Sequence, residues 1–250
     1  MELAIVLVVG LACGHLIDIF FDRLYTGAEL GGGLYRCSEC RSALRPVFAI
    51  PLIGTLSRVL RCPDCGELLR WRSLVLPAGS TALFAASYFV FAEVGAGLLG
   101  GFFATVFLTL TLTDIERRLI PNRIVYPCLV LAMALSWGWP ETSVVEVFAG
   151  GAVALAIAAC LLLFSLPFGA GAFGMGDVKL IFLTGLVVGF PAAIIAVFAG
   201  TLAGGVGAGL LVLFRLRTLR DYIPHGPALA FGAILAQFWG NDIWDWYTNR

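Results

Sequence analysis

Two aspartates and four cysteines carry most of the chemistry that this sequence can do. Asp114 stands in Thr111-Leu-Thr-Asp114-Ile-Glu-Arg-Arg-Leu-Ile-Pro121-Asn122, and Asp177 stands in Gly174-Met-Gly176-Asp177-Val-Lys179. Two carboxylates brought close cannot both ionise easily, so the pair holds one proton between its members. The ionised partner can take a proton from water attacking a peptide carbonyl, while the protonated partner donates to the developing oxyanion. Such a titration belongs to the pair. Gly174 and Gly176 free the main chain to approach a substrate strand closely. Each aspartate also has an ordinary reading. Asp114 could be a solvated helix-end carboxylate beside Arg117 or Arg118, and Asp177 could be the N-cap of the helix that follows it. Lys179 could pair with Asp177 or meet lipid phosphate.

The cysteines form two CxxC pairs, Cys37-Ser-Glu-Cys40 and Cys62-Pro-Asp-Cys65, with 21 residues between them. Four thiolates at this spacing can converge on one tetrahedral ion, and a site with no open position is structural. Zinc is the expected metal, although four thiolates also suit iron. The segment is short and polar, so a bound ion would supply stability that its small apolar content cannot. A redox CxxC is the alternative, but that motif belongs to a βαβ context, which is not visible here. Cys13, Cys128 and Cys160 lie in apolar runs and read as small buried hydrophobes.

The elements that must position these groups are membrane helices. The chain has 250 residues, 60% hydrophobic and 13% charged. A soluble domain carries about 25% charged residues. A helix crosses the hydrocarbon core in about 20 residues. Eight runs approach that length: 3–21, 74–91, 96–112, 124–139, 144–166, 178–190, 192–214 and 223–239. The sixth is short, about 20 Å at 1.5 Å per residue. The start of the chain has no basic region and no small-residue cleavage site, so the first run reads as a retained span.

Cations orient these spans. Of 16 Lys and Arg, only Lys179 is a lysine, and eight Arg fall between residues 23 and 72. The positive-inside rule puts segment 22–73 in the cytoplasm. Counting forward, Arg117, Arg118, Arg123, Lys179, Arg215, Arg217 and Arg220 fall on the same side, and only Arg250 does not. Asp114, at the end of the third span, and Asp177, at the start of the sixth, then share the cytoplasmic face. The expected fold is an all-α polytopic membrane protein of about eight transmembrane helices. Its expected domains are a first helix over 1–21, a cytoplasmic four-cysteine zinc domain over 22–73, and a membrane domain over 74–250. A formal net charge of zero suggests no nucleic acid partner, and membrane lipid surrounds the spans.

Other polar groups have bland readings. Asp18 follows His15 by three residues on one helix face and reads as an inward polar contact. His225, between Pro224 and Gly226-Pro227, reads as a local backbone contact. The glycine run from Gly200 to Gly209 reads as helix packing.

Together these motifs resemble the type IV prepilin peptidases. Gly-Met-Gly-Asp-Val-Lys over 174–179 is similar to that family's GxGD motif, and Asp114 with Leu-Ile-Pro121 is similar to its first catalytic aspartate. The two CxxC pairs, with Ile50-Pro51 between them, resemble its zinc loop, and 223–228 resembles its late IP-x-GP segment. The resemblance implies an inner-membrane aspartyl endopeptidase with catalytic Asp114 and Asp177. It would cut type IV prepilins or type II secretion pseudopilins after a Gly at the cytoplasmic face, with no cofactor for the cut. Many members also methylate the new amino terminus with S-adenosylmethionine. Here the chain departs from the family, with Arg72, Ser73 and Leu76 standing where it reads Tyr, Pro and Glu. Two readings compete with proteolysis. A transporter would use intramembrane carboxylates and broken helices, but no inverted repeat is evident. A scaffold would dock partners through the zinc loop.

Overall fold

The computed structural model describes residues 1–26, 40, 42, 64–65, 72–136, 142–165, 167, 173–218 and 224–249. Among these the regular structure is all helical. The helices are α1 (Glu2–Thr26), α2 (Arg72–Phe91), α3 (Val94–Arg117), α4 (Asn122–Ala134), α5 (Val144–Ser165), α6 (Met175–Val188), α7 (Ala192–Leu213) and α8 (Gly226–Thr248). Five of them, α1, α2, α3, α5 and α7, are long and apolar enough to cross a membrane. Their outward faces carry exposed Phe20, Phe89, Phe164 and Phe198, while Asp18, Arg72, Ser80 and Thr105 are buried. Apolar side chains outside and polar ones inside suit a protein solvated by lipid. The chain is a multi-pass membrane protein.

The helices form two compact units, Met1–Thr105 and Val106–Arg250, and the division falls within α3. In the first unit α1 packs closely on α2. A Cβ on Gly14 would lie 2.7 Å from the Leu76 carbonyl oxygen, so only glycine permits this approach. Ser80 Oγ donates to the Gly10 carbonyl at 2.7 Å and lies 3.0 Å from Thr105 Oγ1. Asp18 is the inward polar contact expected of it, and its partner is Arg72. Nε donates to Asp18 Oδ1 at 3.0 Å with both side chains buried.

In the second unit α5 packs on α6 and α7 on α8 through small residues. A Cβ on Gly150 would come 2.5 Å from the Gly185 carbonyl oxygen. Ser143 and Glu146 close the start of α5 reciprocally: Ser143 N–H donates to Glu146 Oε2 at 2.7 Å, and Glu146 N–H donates to Ser143 Oγ at 3.3 Å. The short sixth run is a separate helix from the seventh, because Gly189 takes a positive φ of 70° and turns the chain before Ala192.

Two expectations need correcting. The fourth run forms a helix that begins at Asn122 and ends at Ala134, short of Trp139, with Leu135 as its C-cap. Of the three span cysteines only Cys128 is buried; Cys13 is half-buried, and Cys160 is exposed on α5. An outward thiol costs little beside lipid, because cysteine behaves as a small hydrophobe.

Candidate active site

Asp114 sits in the last turn of α3, which ends where Arg118 takes the left-handed conformation (φ 54°). Arg118 N–H closes that turn on the Asp114 carbonyl at 2.8 Å. The chain then reverses through Leu119-Ile120-Pro121 into α4, so residues 118–122 form one wall of a cleft. Asp177 sits in the first turn of α6. It is not the N-cap: Gly174 holds that position, and Asp177 reaches back so that Gly174 N–H donates to its Oδ2 at 3.3 Å. A carboxylate in a first helical turn also faces the positive end of the helix dipole.

Both carboxylates line one open cleft of about 290 Å³, together with Gly174, Gly176, Asn122 and Lys179. Asp114 is 4% exposed and Asp177 8%, so each reaches the cleft from a nearly closed position. Lys179 bonds across the cleft to another helix and not to Asp177. Its Nζ donates to Asn122 Oδ1 at 2.8 Å and lies 5.2 Å from the Tyr126 ring centroid, tying α6 to the start of α4. Gly176 lies against Ile120, where a Cβ would come 3.2 Å from the Ile120 Cβ, so the small residue keeps that wall close.

One member of the site was not singled out as functional by sequence. Gly226 N–H donates to Asp114 Oδ2 at 3.0 Å, across 112 positions of chain. The available signal was Pro224-His225-Gly226-Pro227, a run of breakers at the mouth of a helix. His225 is the N-cap of α8, and its ring meets Phe173 edge-on, with centroids 6.4 Å apart.

The metal ligands expected from sequence are only partly in view. Cys40 and Cys65 are exposed, and Cys37 and Cys62 lie outside the described residues. Among the described residues no group of three or more His, Cys, Asp or Glu could hold a metal ion. At the positions where the methylation motif departs, Arg72 and Leu76 are fully buried, and Arg72 holds Asp18.

Sequence comparison supplies the lineage. Residues 101–209 match the model of the type IV leader peptidase family, and residues 8–91 match that of the bacterial peptidase A24 N-terminal domain. The prepilin leader peptidase/N-methyltransferase of Bacillus subtilis (strain 168) is 30% identical over 255 residues, covering 99% of this chain and 98% of the relative. Its namesake from Aeromonas hydrophila is 30% identical over 86% of this chain and 74% of the relative. That from Burkholderia pseudomallei (strain K96243) is 26% identical over 98% and 87%. No solved structure matches the chain. Similarity of this extent, from one end of the fold to the other, means that the chain is a peptidase and belongs to the type IV leader peptidase family.

Proposed function

We propose that this protein is an aspartyl endopeptidase that removes the leader from type IV prepilins or type II secretion pseudopilins. The observation that carries the proposal is the cleft shared by Asp114 and Asp177. With one proton between them, one carboxylate takes a proton from the attacking water and the other protonates the carbonyl oxygen of the scissile bond. The peptide C–N bond breaks after the tetrahedral intermediate forms, and the nitrogen leaves with a proton returned by the dyad. Gly174 and Gly176 leave room for an extended substrate strand, and Lys179 holds the α4 wall through Asn122.

Prepilins as substrates rest on the names of the relatives, and pseudopilins on the resemblance of the motifs to the family. Eight spans with the cleft at the cytoplasmic side of the inner membrane follow from the arginine distribution. Cleavage would follow a Gly at that membrane face. A structural zinc held by Cys37, Cys40, Cys62 and Cys65 is part of the same proposal and rests on ligand spacing. So does the division into a first helix over 1–21, a zinc domain over 22–73 and a peptidase domain over 74–250. N-methylation with S-adenosylmethionine is a further activity in the relatives' names, and the departures at Arg72, Ser73 and Leu76 weigh against it here.

The test is purified protein in detergent, incubated with a prepilin and read by mass spectrometry. Cleavage after the leader Gly, lost in both Asp114→Asn and Asp177→Asn, is expected. An added methyl mass with S-adenosylmethionine would establish the second activity. Cleavage that survives either substitution at full rate removes that carboxylate from the mechanism.

A further inference from the structure

Each carboxylate in the cleft is held by one main-chain N–H, and in both cases the donor is a glycine. Gly174 holds Asp177 at 3.3 Å, and Gly226 holds Asp114 at 3.0 Å. Both bonds fall on Oδ2, and the other oxygen of each carboxylate takes no hydrogen bond from the described residues. The two aspartates differ in where they find a donor. Asp177 lies in a first helical turn, where main-chain N–H groups have no intrahelical partner, so its own helix supplies one. Asp114 lies in a last turn, where the unpartnered groups are carbonyls, so its donor must come from another helix. Gly226 opens α8 and has such a spare N–H.

The fit at Gly226 admits no side chain. A Cβ there would lie 2.5 Å from Asp114 Oδ2 and 3.0 Å from its Cγ. The residues that precede the two glycines also touch, since the Phe173 and His225 rings meet at 6.4 Å and 61°. Gly204 of α7 backs the His225 ring, where a Cβ would come 2.5 Å from Cε1. The two amide donors are therefore joined through an aromatic contact.

We propose that Gly226 is a positioning residue for Asp114, and that the Phe173–His225 contact sets the spacing between the Gly226 and Gly174 clamps, and hence between the two carboxylates. This rests on the reading of Asp114 and Asp177 as a catalytic pair. A displaced carboxylate slows proton transfer without weakening substrate binding, so the effect falls on kcat.

Four variants and one spectrum test it. Gly226→Ala should lower kcat for a prepilin by roughly 100-fold, with KM within about twofold, and should displace the acid limb of the pH–rate profile. Gly232→Ala is the control for strain in α8, because its Cβ would meet the Ala196 carbonyl oxygen, away from both carboxylates. It should lose thermal stability yet keep the wild-type kcat and pH profile per folded molecule. His225→Ala should lose about tenfold in kcat, and His225→Phe should recover most of that loss. In wild-type protein labelled with 15N-glycine, the Gly226 amide resonance should move with the titration of the carboxylate. In Asp114→Asn that movement should disappear. The spectrum needs no Gly226 variant to fold. A folded Gly226→Ala enzyme with wild-type kcat and pH profile overturns the proposal, as does a Gly226 resonance indifferent to Asp114. Full cleavage by Asp114→Asn would instead sink the catalytic reading, while the spectrum still reports whether the clamp exists.

Discussion

Replacing Arg72 by methionine should be among the most damaging single changes in the first unit. Its guanidinium and the Asp18 carboxylate are both buried, with Nε 3.0 Å from Oδ1. Removing the cation breaks a buried ion pair, which costs about 3–5 kcal/mol. At about 1.4 kcal/mol per power of ten, the folded fraction relative to unfolded falls by two to three and a half powers of ten. For a chain of this length about 2–4 °C is lost per kcal/mol, so the midpoint should drop by roughly 6–20 °C. Asp18→Leu should cost a similar amount, because it breaks the same pair from the other side. The double variant Asp18→Leu/Arg72→Met should return to within about 1 kcal/mol of the parent, since burying two apolar groups avoids both desolvation penalties. Thermal unfolding in detergent, followed by intrinsic fluorescence, measures the four corners of this cycle. Single variants within about 1 kcal/mol of the parent, or a double variant that loses the sum of both, would refute the reasoning.

Gly150→Ala should cost about 1–3 kcal/mol by forcing α5 away from the Gly185 carbonyl, which the same thermal assay reads as a lower midpoint. Lys179→Met should lower kcat/KM for prepilin cleavage by roughly 3- to 10-fold, because it removes the bond to Asn122 and the cation over Tyr126; unchanged kinetics would take Lys179 out of the cleft's support. Serine at Cys37, Cys40, Cys62 or Cys65 should reduce bound metal, measured by elemental analysis of purified protein, and unchanged stoichiometry in all four variants would count against the zinc site.

Much of the cleft was legible in the sequence because its signals are local. Asp114 and Asp177 stand out as carboxylates at the ends of apolar runs, and counting spans already puts them on one side. Gly174-Met-Gly176 marks a chain that must run close to something. The partners chosen by those residues were harder to read. Asp177 was a reasonable partner for Lys179 by proximity in sequence, but Lys179 bonds to Asn122, which α4 brings within 2.8 Å of it. Asp177 looked like an N-cap and is instead three residues inside its helix, since Gly174 supplies the extended conformation before the first turn. His225 read as a local contact and meets Phe173, more than 50 residues earlier, because two helix entrances converge.

The sequence by itself determined the solvent and offered the acidic pair. Long apolar runs with few charges call for lipid around helices, and two carboxylates at the ends of such runs offer a pair able to share a proton; both properties are set residue by residue along the chain. The tertiary structure alone decided who satisfies whom. Asp18 finds Arg72 across 54 positions and Asp114 finds Gly226 across 112. A buried polar group must be paired, but that requirement names no partner. The partner is whichever donor helix packing brings within about 3 Å, and here that packing depends on glycines whose missing side chains let two helices, or a helix and a carboxylate, come together.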